Sequence, residues 1–154
     1  MPFWNRNRDE AVGADVSLVV GLGNPGRQYE ATRHNVGFMA VEAVADKYSM
    51  QFKGSKQRAD VARGTIDGRI VLLAEPLTYM NESGLAVSAL VQYYRVDASR
   101  LLVVCDDIDL PFGTLRMRAQ GSSGGQRGLQ SIIQQLGSDR FARLRIGVGR
   151  PRGE

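Results

Sequence analysis

The chain has 154 residues, with 20 Lys+Arg against 16 Asp+Glu and a formal charge of +4. That is room for one domain with a core, and 43% hydrophobic against 23% charged residues is ordinary for a globular chain. One cysteine and one histidine exclude an intrachain disulfide and a zinc cluster of Cys and His ligands. No apolar run reaches membrane-spanning length and the start of the chain holds no signal-peptide core, so the expectation is a cytoplasmic protein with no membrane partner.

Residues 1–14 read as a disordered extension, leaving 15–154 as the domain. Residues 16–22 are a short apolar run ending in Gly, a buried strand. Residues 23–33 are loop, punctuated by Asn24-Pro25-Gly26, and Val36, Met39, Ala40, Ala43, Val44 and Tyr48 then recur at helical spacing. His34 and Asn35 therefore stand at a helix start. Ala59–Ile66 and 69–74 flank Asp67-Gly68, a hairpin with a primed turn, and Pro76 stops its second strand. Val87, Leu90, Val91 and Tyr94 mark a second helix, with Asn81 and Ser83 as caps. Residues 101–105 form a continuous apolar run, hence a central strand, in which Cys105 reads as a buried, inert thiol. A turn at 109–113, a short strand at Leu115–Arg118 and a flexible Gly/Ser loop at 121–128 follow. Leu129, Ile132, Ile133 and Leu136 form a third helix closed by Gly137, and Leu144, Ile146 and Val148 alternate with Arg143, Arg145 and Gly147 in a last strand. Strands interleaved with helices give an α/β class with a mixed sheet in a single domain.

Two strings imitate familiar motifs. Gly21-Leu22-Gly23-Asn24-Pro25-Gly26 matches G-x-G-x-x-G after a strand, but Pro25 removes an amide and the helix opens only after His34, which argues against a dinucleotide. Gly121-Ser122-Ser123-Gly124-Gly125 matches G-x-S-x-G, but lacks a core strand before it and a His after it.

Three polar clusters each follow an apolar strand: Asn24 with Tyr29, His34 and Asn35; Asn81 after 70–74; and Asp106 after 101–105. If those strands are parallel neighbours, His34, Asn24, Asn81 and Asp106 converge at their carboxyl ends. A His oriented by a carboxylate, with side-chain amides for a carbonyl, is equipment for water attacking an ester. Each residue also has a plainer explanation: a helix-start His, a turn-forming Asn, an acid solvating a strand end. Asp106, Asp107 and Asp109 would also suit a magnesium ion. From Arg116 onward the basic residues are eight Arg (116, 118, 127, 140, 143, 145, 150, 152), the side chain best matched to phosphate.

Three of these blocks carry a resemblance. Val19-Val20-Gly21-Leu22-Gly23-Asn24-Pro25-Gly26, then Tyr29, then Thr32-Arg33-His34-Asn35-Val36-Gly37 is similar to the first signature of the bacterial peptidyl-tRNA hydrolase family. Pro76-Leu77-Thr78-Tyr79-Met80-Asn81-Glu82-Ser83-Gly84 resembles its second block, and Asp106-Asp107-Ile108-Asp109-Leu110-Pro111-Phe112-Gly113 its third. Residues 121–129 and 143–149 complete the series. The resemblance implies a mixed, twisted sheet between helices, mostly monomeric members, and hydrolysis of the ester joining a peptide to the 3′ ribose of tRNA. It implies that His34 activates the water, Asp106 holds and polarises His34, Asn24 and Asn81 line the carbonyl site, and Tyr29 and Met80 pack at the tRNA end and peptide channel. Gly124 and Arg127 join the substrate-binding set. It implies no cofactor and no metal, and the Arg-rich part fits the acceptor arm of tRNA.

The sequence departs from the family pattern twice. The Gly-rich loop continues as Gln126-Arg127-Gly128 where the family has His-Asn-Gly, so a longer, charged, donor-only Arg127 replaces an Asn. The family also continues past the equivalent of Gly149-Arg150-Pro151 with a lid and a C-terminal helix, so the expectation is a C-terminally truncated domain. The rival readings are a non-catalytic RNA-binding relative, such as the hydrolase-like protein that serves intron splicing in plant chloroplasts, and a fragment of weak activity.

Overall fold

A computed structural model of the chain describes residues 16–30 and 32–150. The expected extension at 1–14 lies outside the described residues, as does Arg152. The strands are β1 (Ser17–Gly21), β2 (Phe52–Gly54), β3 (Ala59–Ile66), β4 (Arg69–Pro76), β5 (Leu101–Asp107), β6 (Leu115–Arg118) and β7 (Ala142–Gly147). The α-helices are α1 (Val36–Lys47), α2 (Ser83–Tyr94) and α3 (Arg127–Leu136). The strands form one mixed sheet in the order β2-β3-β4-β1-β5-β7-β6. Its centre, β4-β1-β5-β7, is parallel, and antiparallel strands complete both sides.

Alternation along the strands divides the core between two layers. Leu18, Val20, Ala74, Val103 and Cys105 pack against Val87 and Leu90 of α2 and Leu129 and Ile132 of α3. Val19, Ala62 and Leu73 pack on the other side against Val41 and Ala45 of α1. The β3–β4 hairpin turns on Asp67 (φ 51°) and Gly68 (φ 79°), the two positive φ angles that a type I′ turn demands. β2, three residues long, is the one strand that periodicity could not reveal.

The first glycine of the dinucleotide-like string has a packing reason. A Cβ on Gly21 would stand 2.2 Å from the carbonyl oxygen of Gly37, and one on Gly37 would stand 2.5 Å from the Leu22 backbone. The pair lets the start of α1 press against the end of β1. It thereby sets where the residues just before α1 sit.

Three expectations need correction. Neither Asn81 nor Ser83 caps α2: Glu82 holds the cap position without a side-chain bond, and the Ser83 hydroxyl donates back to the Met80 carbonyl at 2.7 Å. The Gly-rich loop ends at Gln126, because Arg127 and Gly128 already belong to α3. The Arg-rich part expected to meet the acceptor arm is not all at the surface: in β7 Arg143 (0% exposed) and Arg145 (9%) are buried, while Leu144 and Ile146 are only half-buried.

Candidate active site

The carboxyl ends of β4, β1 and β5 lie side by side because those strands are parallel neighbours. Asn24 follows β1, Met80 and Asn81 follow β4 in a single 3-10 turn, and Asp106 is the penultimate residue of β5. Two sets of hydrogen bonds join these connections. The buried Asn35 side chain accepts from Asn24 N (2.8 Å) and donates to Asn24 O (2.9 Å). Asn24 Oδ1 in turn accepts from Met80 N at 2.6 Å. Asn35 thus locks the loop after β1 to the start of α1, a role that sequence reasoning did not assign.

His34 occupies the 3-10 turn Arg33–Asn35, directly before α1. Its Nδ1 lies 2.7 Å from Asp106 Oδ2. The histidine side chain is 61% exposed and the aspartate side chain 6%. A carboxylate can only accept, so the neutral imidazole carries its proton on Nδ1 and leaves the Nε2 lone pair free for a proton. The other carboxylate oxygen, Oδ1, accepts from Gln126 Nε2 at 2.9 Å. Gln126, which ends the Gly-rich loop and caps α3 by accepting from Leu129 N at 2.8 Å, is a second member that sequence reasoning missed. No local pattern marks a residue 20 positions from its partner.

A cavity of about 570 Å³ opens at this edge of the sheet. Asn24, His34, Met80, Asp106, Gly124 and Arg127 line it, so six of the predicted residues come together. Tyr29 and Asn81 do not line it: Tyr29 sits half-buried in the turn Arg27–Tyr29, and Asn81 is exposed beside Met80. A second cavity, about 460 Å³, lies at the amino ends of the strands around Val16 and Ile70, and none of the predicted residues lines it.

The carboxylates that suggested magnesium face separate partners. Asp106 holds His34 and Gln126, Asp107 lies 3.7 Å from Arg145, and Asp109 pairs with Arg150. Among the described residues, no group of three or more His, Cys, Asp or Glu is placed to hold a metal ion. Cys105 is buried, and burial pushes its thiol up to about 12, which keeps it protonated and inert.

The arginines divide into two groups. Arg143 donates to the carbonyls of Gly121, Ser122, Asp139 and Phe141, and burial lowers its affinity for its proton. Arg145 donates to the carbonyls of Ser122 and Ser123. These two fasten the Gly-rich loop as a wall of the cavity, which Arg145 also lines. Arg116, Arg118, Arg127, Arg140 and Arg150 remain exposed. No helix among the described residues is long and apolar enough to cross a membrane.

Comparison with known proteins agrees with this geometry. The family model described as peptidyl-tRNA hydrolase matches residues 18–154. The chain is 56% identical to the peptidyl-tRNA hydrolase of Herpetosiphon aurantiacus, over 87% of this chain and 66% of that one. It is 50% identical to the enzyme of Aquifex aeolicus, over 90% of this chain and 72% of that one. The chain thus spans about two thirds to three quarters of the length of these relatives. The solved structure of the Acinetobacter baumannii peptidyl-tRNA hydrolase superposes with a TM-score of 0.86 at 40% identity, covering 92% of this chain and 72% of that one. With the sheet order, the paired His34 and Asp106 and a match running through nearly every described residue, the chain belongs to the peptidyl-tRNA hydrolase family.

Proposed function

We propose that the protein hydrolyses the ester between a peptide and the 3′ ribose of tRNA, releasing tRNA from stalled translation. The observation that carries this reading is the 2.7 Å contact between His34 Nδ1 and Asp106 at the mouth of the cavity. His34 Nε2 takes a proton from a water molecule, and the water oxygen attacks the ester carbonyl. The Asp106 carboxylate stabilises the imidazolium that forms. His34 then returns the proton to the departing 3′ oxygen, so peptide acid and tRNA leave and the base is regenerated. Asn24 supplies an amide for the carbonyl, and Met80, Gly124 and Arg127 hold the peptide and the tRNA end, while Asn81 and Tyr29, which do not line the cavity, meet only parts of the substrate that extend beyond it. The exposed arginines meet phosphates of the acceptor arm. The chain acts as a monomer in the cytoplasm, and the reaction as written calls on no metal.

A non-catalytic RNA-binding role is not favoured, since the relatives are hydrolases by name and the base and its carboxylate are both present. The deciding experiment follows peptide release from peptidyl-tRNA, with His34→Ala as control. Release that vanishes in the variant is expected; tight tRNA binding without release would overturn the proposal. Arg127→Asn in the same assay measures what the departure at that position does. A large gain would identify Arg127 as a handicap, and a loss would identify it as a substrate contact.

A further inference from the structure

We propose that Gln126 is a positioning residue for the reaction: it fixes the Asp106 carboxylate from the side opposite His34 and so sets the orientation of the imidazole. The inference rests on the reading of His34 as general base. Asp106 uses its two oxygens separately, Oδ2 for His34 at 2.7 Å and Oδ1 for Gln126 Nε2 at 2.9 Å. A carboxylate held by one donor can rotate about its Cβ–Cγ bond; held at both oxygens, it has one plane. The imidazole then inherits a defined direction, although its side chain is largely exposed and little else restrains it.

The amide cannot be turned round. Gln126 Oε1 accepts from Leu129 N at 2.8 Å, while the Nε2 end lies 2.9 Å from Asp106 and 3.4 Å from Met80 Sδ. A flipped amide would set oxygen against carboxylate and NH2 against N–H, losing both bonds and creating two repulsions. One side chain therefore caps α3 and grips the end of β5. The donor is also neutral. An Arg or Lys in its place would neutralise the carboxylate, whereas an amide leaves the full negative charge to stabilise the imidazolium. Unlike a His, the amide neither titrates nor changes from donor to acceptor with pH.

The test is Gln126→Glu, which has the same length. It keeps the oxygen that caps α3 and sets a carboxylate oxygen, in place of the Nε2 donor, against Asp106 Oδ1. A purely structural cap predicts an unchanged or slightly raised Tm and unchanged kinetics. The positioning role predicts that kcat for peptide release falls roughly 10- to 100-fold, the equivalent of one charge-assisted hydrogen bond, with the effect on kcat rather than KM. It also predicts that the acid limb of the kcat profile moves to higher pH, because the added negative charge beside Asp106 favours the imidazolium over the free base. His34 is the chain's only imidazole, so the proton shared by Nδ1 and Asp106 gives one downfield NMR resonance in the free protein. That resonance is expected to shift and broaden in the variant. Unchanged kcat, pH profile and resonance would overturn the inference. If the unmodified protein releases no peptide, the functional reading fails, while the resonance, which needs no substrate, still decides the role of Gln126.

Discussion

Asp106→Asn changes almost no volume and one hydrogen-bonding function. In the parent protein both neighbours of this side chain are donors, His34 Nδ1 at 2.7 Å and Gln126 Nε2 at 2.9 Å. Asn offers one acceptor and one donor end, so one neighbour must meet an NH2 group. Gln126 cannot yield, because Leu129 N holds its oxygen. The Asn oxygen therefore turns to Gln126, and its NH2 faces His34 Nδ1. The imidazole must then move its proton to Nε2, the atom that was to accept one from water. With the base in the wrong tautomer, kcat is expected to fall by about 10²- to 10⁴-fold, roughly 3–5 kcal/mol of transition-state stabilisation. Single-turnover peptide release at saturating peptidyl-tRNA measures it, and a Tm near that of the parent shows that folding is intact. A kcat within about threefold of the parent would refute the assignment of Asp106 as the partner that sets the tautomer.

Three further variants probe the scaffold. Arg143→Met leaves four backbone carbonyls without their buried donor and should cost about 3 kcal/mol or more in urea unfolding; a loss confined to RNA affinity, with stability intact, would show that the guanidinium works at the surface instead. Gly84→Ala places a methyl 2.2 Å from the Ser131 carbonyl oxygen, where α2 and α3 cross, and should lower stability by about 1–3 kcal/mol through forced separation of the helices; an unchanged Tm would contradict that close approach. Burial first, then Glu42 and Asp60, push the Glu75 carboxyl from 4.5 up to about 8, so the folded chain holds a proton that the unfolded chain releases. The stability this group contributes is complete below pH 4.5 and is lost as pH rises through 8. Glu75→Gln should therefore match the parent at pH 4.5 and exceed it by about 2 kcal/mol at pH 8.5, a figure kept below the full linkage value because the carboxyl pair is only partly withdrawn from solvent; equal differences at both pH values would exclude this origin.

Much of the molecule was legible before folding. The order of strands and helices follows from period and punctuation, because an amphipathic stretch reports its own repeat whatever it packs against. The β3–β4 hairpin follows from Asp67-Gly68 alone, since only that chemistry accepts two positive φ angles. His34, Asp106 and Asn24 were legible through the blocks that contain them, on the condition that their strands run parallel and adjacent, as β4, β1 and β5 do.

What local pattern could not supply is which face of an element is covered, and by what. The alternation in β7 marks two faces, but only the packed sheet shows that Arg143 and Arg145 take the inner one, where the carbonyls of the Gly-rich loop replace water. Asn81 shares the turn of Met80, yet the turn directs only Met80 to the cavity. Gln126 read as part of a loop and proved to join helix α3 to the Asp106 carboxylate at the end of β5. Periodicity reports a residue's neighbours along one element, whereas a hydrogen bond between residues 72 or 20 positions apart exists only once the sheet has brought their elements together.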